Sequence, residues 1–254
     1  MTLTAFAIRP ALVVLTLLFA VVPAWAQDVK VFSSVAMRAV VEEVAQRFER
    51  ETKHRVVPTF GLAAALKTRI EAGEAFDLAI LTPAQIDDLI KQGKANASSR
   101  AVIARTGLGL MVRAGASKLD IGTVDAFKRT LLAAKSLTYV PAGASGVAFI
   151  ATAKQLGIAQ ALEAKTKAAA SGEEVNANVT SGAADIAVLP VSEILPVKGA
   201  ALGGVFPADV QTYIVMAGAT SNSASRAARD FLARLTSSAS DAVITAKGME
   251  RVKP

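Results

Sequence analysis

The sequence predicts two α/β lobes joined by a pair of crossing strands, and three observations carry that expectation. From residue 29 onward short apolar runs alternate with amphipathic stretches, the pattern of strand–helix units building a mostly parallel sheet flanked by helices. A long apolar run at 101–112 contains Gly107 and Gly109, so it reads as an extended segment that bends. A second strand–helix series follows it, and a later strand returns the chain toward its first half.

Taken in order, residues 29–32 (Val-Lys-Val-Phe) read as the first strand. A helix follows, with a buried stripe of Val40, Val41, Val44 and Phe48 at helical spacing. Residues 56–60 form the next strand, and a helix through Leu66 and Ile70 stops at Gly73. A third strand at 77–81 leads to Pro83, which suits a first helical position, and that helix ends at Gly93. After the bending run come a strand at 136–140, a helix at 145–156, and strands at 185–189 and 200–206. Pro207-Ala208-Asp209 leads into a strand at 211–217, an amphipathic helix at 223–235 and a short one at 240–247. With crossings near 100–108 and 205–212, lobe 1 is expected to comprise 28–104 plus 210–254, and lobe 2 to comprise 105–209. Two linking strands make a hinge that can close around a ligand.

The first 26 residues read as a cleaved signal peptide. Arg9 precedes an uncharged apolar run at 11–22, Pro23 breaks it, and Ala24-Trp25-Ala26 supplies the small residues of a cleavage site. The run is shorter than the ~20 residues that span a bilayer. Export as a soluble protein is therefore expected, with the mature chain starting near Gln27. The chain has no cysteine, which removes disulfides, thiolate metal sites and a lipidated N-terminal cysteine, and so favours a Gram-negative periplasm. Without the leader, 27 basic side chains face 21 acidic ones, a net charge of +6. The basic residues are scattered and two tyrosines offer no stacking platform, so nucleic acid is not an expected partner. A mild positive field favours small anions.

Ligands of open α/β sheets bind beyond the carboxyl ends of the strands, where helix N-termini present unpaired amides. The sequence places Ser33 and Ser34 after the first strand, Gly61 and Leu62 after the second, and Thr82 after the third. In the second lobe Ser145 and Gly146 open one helix, Gly172 opens another, and Ser192 follows the strand ending at Leu189. Hydroxyls and glycines there can serve an oxyanion without competing charge, although Ser and Thr favour helix N-caps in any case. Arg38, early in the first helix, can grip a carboxylate in bidentate fashion or lie on a solvated face. Glu193 can bind a ligand hydroxyl or amine, or cap a helix.

Catalytic material is sparse, and no enzyme activity, cofactor or metal is expected. The single histidine, His54, lies between Lys53 and Arg55 in a polar turn; Gly143-Ala144-Ser145-Gly146 lacks the spacing of a nucleophile elbow, and no Ser-x-x-Lys pair occurs. A secreted hydrolase is accordingly a weak alternative.

Several segments resemble those of periplasmic molybdate-binding-type proteins. These are Val31-Phe32-Ser33-Ser34 with its helix, Ile70-Glu71-Ala72-Gly73 with Asp77, Ser181-Gly182-Ala183-Ala184-Asp185, and Lys247-Gly248-Met249. The resemblance implies a type II periplasmic binding fold that closes like a Venus flytrap, and a monomer delivering its ligand to an ABC permease of the inner membrane. In that family a serine opens the first helix, a serine follows the second strand and a tyrosine lies beyond a lobe-2 strand. Here Ala36, Leu62 or Ala63, and Pro190 occupy those places. Each lost donor costs ~1–3 kcal/mol, so the expected ligand is another anion, a small organic carboxylate first. Molybdate or tungstate itself, and a sensory role toward a membrane receptor, are the alternatives.

Overall fold

The computed structural model describes residues 28–252, so the expected signal peptide lies outside the described residues. Lobe 1 begins with β1 (Asp28–Ser34), a 3-10 turn (Val35–Met37) and α1 (Arg38–Thr52), followed by β2 (Arg55–Gly61), α2 (Ala63–Glu71), β3 (Leu78–Leu81) and α3 (Pro83–Lys91). The long strand β4 (Ala101–Arg113) then crosses to lobe 2. Lobe 2 holds α4 (Val124–Ala133), β5 (Leu137–Tyr139), α5 (Ala144–Gln155), α6 (Ala159–Glu163), β6 (Thr166–Ala168), α7 (Gly172–Thr180), β7 (Ile186–Pro190), α8 (Val191–Ile194) and β8 (Ala200–Val205). The strand β9 (Tyr213–Thr220) returns, and α9 (Arg226–Thr236) and α10 (Asp241–Ala246) pack on lobe 1.

The strand order is β2-β1-β3-β9-β4-β7-β5-β6, with β8 also paired to β4. The strand–helix units are parallel, β1 with β2 and β3, and β5 with β6 and β7. Antiparallel pairs enter through the crossing strands β4, β8 and β9, which makes the whole sheet mixed. The bend expected in the apolar run is a change of partner within β4. Residues 101–107 pair with β9, whereas Leu108 and its successors pair with β7 and β8. At the changeover the Gln211 amide stands in for a strand: its Oε1 accepts from Leu108 N–H (2.7 Å) and its Nε2 donates to Leu108 O (3.1 Å). The Gln211 side chain lies against Gly107, where a Cβ would approach its Nε2 to 3.0 Å.

Alternation along the strands separates the cores, as a period of two requires. Val29 and Val31 of β1, Leu78 and Ile80 of β3, and Ile186 and Val188 of β7 join one large apolar cluster with Phe48, Phe127 and Phe231. Phe32, Ala79 and Leu81 face α2 and α3 instead, against Leu66, Ile70, Ile86 and Leu89. In lobe 2, Ala187 and Leu189 meet Val175 and Val179 of α7. The predicted α1 stripe is buried throughout. The elements α4, α6, β6 and the one-turn α8 are additions to the sequence reading; β6 has three residues, none buried, and therefore no apolar signal.

Two aspartates in the family-like segments serve the same purpose in the two lobes. Asp77 precedes β3 and accepts from Lys30 N–H of β1 at 2.8 Å. Asp185 precedes β7 and accepts from Lys135 N–H, just before β5, also at 2.8 Å. Both tie down strand beginnings, at the edge away from the strand C-termini.

Candidate functional site

The carboxyl ends of β1, β2, β3, β5 and β7 enclose a chamber of about 40 Å³ between the lobes. Lobe 1 contributes Ser34, Val35 and Ala36 after β1, Gly61, Leu62 and Ala63 after β2, and Thr82 after β3. Lobe 2 contributes Val140, Gly143, Ala144 and Ser145 after β5, Gly172 at the start of α7, and Leu189, Pro190 and Glu193 around the end of β7. Ile214 of β9 completes the wall. One buried water needs roughly 10–15 Å³ by a comparable measure, so the space suits a compact group of a few heavy atoms.

Backbone amides supply its polarity. The first intrahelical bond of α2 is Leu66 N–H to Leu62 O (3.0 Å), and that of α5 is Val147 N–H to Gly143 O (3.0 Å). The preceding amides of both helices, at residues 63–65 and 144–146, have no intrahelical acceptor. Neither N-cap, Leu62 nor Gly143, offers a side-chain hydrogen bond. By contrast α7, whose Gly172 also lines the chamber, is capped by Ser171, as α4 and α9 outside it are by Thr123 and Ser225. Uncapped helix starts therefore face one another from opposite lobes.

The hydroxyls divide into committed and available ones. Ser34 Oγ and Ser145 Oγ donate to no group of the protein among the described residues, although Ser145 as a residue is only 6% exposed. Thr82 lines the chamber, but its hydroxyl donates to Gln85 Oε1 (2.8 Å). Ser33 is fully buried behind the wall and donates to Ser34 O (3.1 Å). Ser192 is buried too, its Oγ donating to Ala36 O (2.8 Å) across the lobes. Gly146 does not line the chamber; it lets α5 approach the end of β5 so closely that a Cβ would lie 1.9 Å from Val140 O. Of the ten residues singled out from sequence, the structure thus brings Ser34, Gly61, Leu62, Thr82, Ser145 and Gly172 to one chamber.

Arg38 lies in the neighbouring chamber, of about 270 Å³, with Glu42, Glu173, Asn176 and Ser192. Its guanidinium pairs with Glu173 of the opposite lobe at 3.0 Å and stacks over Phe60 at 4.7 Å. No lysine or arginine lines the central chamber among the described residues. His54 lies in the turn leading into β2, at the opposite strand end from the chamber, with its ring stacked near Phe48.

Glu193, which the sequence left undecided, occupies the wall shared by both chambers. Its carboxylate forms no hydrogen bond or ion pair with the described residues, and one oxygen lies against Gly172. Burial, followed by the nearby Glu173 charge, pushes its pKa up to about 7 against the weaker opposing pull of Arg38. Sequence reasoning missed Val35, Val140 and Ile214 because nothing in an apolar side chain marks a wall. The three departures from the molybdate-type pattern, Ala36, Leu62 or Ala63, and Pro190, all line this chamber.

A cleft at the strand carboxyl ends of two hinged α/β lobes is the arrangement of a solute-binding protein. Residues 29–250 match the family model described as bacterial extracellular solute-binding protein, and the chain belongs to that family. It is 28% identical over 230 residues to an aconitate isomerase of Pseudomonas sp, covering 87% of each chain. It is 27% identical over 178 residues to the molybdate-binding protein ModA of Azotobacter vinelandii, covering 67% of this chain and 68% of that one. The solved structure of the Azotobacter vinelandii periplasmic molybdate-binding protein superposes with a TM-score of 0.76 at 22% identity, covering 89% of this chain and 99% of that one. Among the described residues no helix is long and apolar enough to cross a membrane.

Proposed function

We propose that this protein captures a small anion in the interlobe chamber and presents it, from the periplasm, to an ABC importer. The observation carrying the reading is the pair of uncapped helix starts, α2 and α5, that meet from opposite lobes with Ser34 and Ser145 beside them. Unpaired amides at the positive ends of helices favour negative charge. The chamber's size favours a compact oxyanion or small carboxylate, and the apolar substitutions at residues 36, 62, 63 and 190 favour a carboxylate with a carbon skeleton over molybdate. Gln211 and Gly107 mark the hinge, with lobe 1 at 28–104 plus 210–254 and lobe 2 at 105–209. Isothermal titration with molybdate, tungstate, sulfate, malonate and trans-aconitate tests the reading. Binding of an anion with compaction in solution scattering is the expected result; silence from every anion refutes it.

A second reading is isomerisation of an unsaturated carboxylate, the activity named for the Pseudomonas relative. One observation favours it: Glu193 is an unpartnered carboxyl in the wall with a pKa near neutrality, suited to moving a proton between carbon atoms. Proton NMR of trans-aconitate incubated with the protein separates the two, since capture alone leaves the spectrum of the free acid unchanged.

A further inference from the structure

The wall of the anion chamber contains a carboxyl group and no cation among the described residues. An ionised carboxylate would repel any anion beside it, so capture requires that the charge of Glu193 be removed or balanced. On its chamber side the uncapped starts of α2 and α5 supply only partial positive charge, which the anion itself engages, and no other residue in that wall carries a titratable group. On the far side α1 presents Arg38 and Glu42, and α7 presents Glu173. Arg38 is already paired with Glu173 (3.0 Å), and Glu42 adds further negative charge. The remaining course is protonation.

We propose that Glu193 is the specificity-determining residue of the chamber, closing on the anion as a neutral carboxylic acid that donates its O–H to an anion oxygen. Where Glu193 is ionised beforehand, capture takes up one proton from solvent, and the bound species is an anion able to accept a strong hydrogen bond. A carboxylate or oxyanion fits this description, whereas chloride and the heavier halides accept such bonds more weakly. The geometry provides a route for that proton. Glu193 stands between the closed chamber and the wider neighbouring one, so the proton can arrive from the outer side while the ligand fills the inner side. The outer chamber is also lined by Asn176, whose buried Oδ1 lacks a hydrogen-bond partner. The raised pKa agrees with this assignment, as the neutral form is already substantially populated near neutrality before ligand arrives.

The inference rests on the anion-capture reading, and the test keeps the two apart. Sulfate and molybdate, which hold their charge from mildly acid to alkaline pH, and malonate are titrated calorimetrically at about pH 6 and about pH 9, in buffers of low and high ionisation enthalpy. For the wild type, affinity should fall roughly tenfold per pH unit once Glu193 ionises, with about one proton taken up per anion at alkaline pH. E193Q should abolish both the proton uptake and the pH dependence, its folding being checked by thermal melting. The wild-type proton count stands by itself if that variant does not fold. Binding by the wild type with no proton uptake and no pH dependence would overturn the assignment while sparing the chamber. An E193Q variant whose affinity falls with pH as the wild type's does would overturn it equally. Failure of all three probes, and of tungstate and trans-aconitate, to bind either protein at both pH values would overturn the anion reading, and the assignment with it.

Discussion

Replacing Glu193 by glutamine should stabilise the unliganded protein, and by an amount that depends on pH. The native environment raises the carboxyl pKa from 4.5 to about 7, so the folded state binds this proton more tightly than the unfolded chain does. Below about pH 4.5 the group is neutral in both states and costs little. As pH rises from there to about 7 the unfolded chain releases its proton first, and the native state becomes progressively less favoured. Above about 7 the penalty is complete, on the order of 3 kcal/mol from 1.36 kcal/mol per pKa unit. Glutamine has nearly the same shape and no charge, so urea unfolding at a series of pH values should give curves that coincide in acid and diverge toward neutrality. The stabilisation should then level off. A difference of constant size across the range would show that the carboxyl keeps its ordinary pKa, and would refute the electrostatic argument.

Other expectations follow from single contacts. G146A should destabilise the fold by roughly 1–3 kcal/mol in thermal or urea unfolding, because its Cβ meets the rigid Val140 carbonyl. D77A and D185A should each cost about 0.5–1.5 kcal/mol, since each removes the acceptor of an exposed backbone N–H that water then solvates, and anion affinity measured by calorimetry should change much less than stability. R38A should alter stability by only about 0–1 kcal/mol, the pair being 40% and 65% exposed, and should leave anion affinity nearly as it was. A tenfold loss of affinity in R38A would move the binding site into the outer chamber. Conversely, S145A should lower anion affinity about tenfold or more with little loss of stability, as its hydroxyl supports no protein contact.

The strand–helix order was legible because apolar runs in buried strands and stripes at helical spacing are direct consequences of burial. The α1 stripe and the stops at Gly73 and Gly93, both with positive φ, follow the sequence closely. The short β6 was not legible, having no buried residue to betray it. Site residues were legible to the extent that strand ends must face the cleft. Which hydroxyls are free was not, because that depends on partners distant in sequence: Ser192 is spent on Ala36 and Arg38 on Glu173, across 156 and 135 positions. Nor does composition reveal that Gly146 serves packing while Gly143, three residues earlier, lines the chamber. The Asp77 and Asp185 segments, on which the resemblance rests, anchor strands and do not line the chamber.

The most direct test is a crystal structure of the protein grown with the anion that calorimetry selects. The account predicts that anion in the chamber, its oxygens about 2.7–3.2 Å from amides at the starts of both α2 and α5 and from Ser34 and Ser145. An anion held instead beside Arg38, or by one lobe alone, would contradict it.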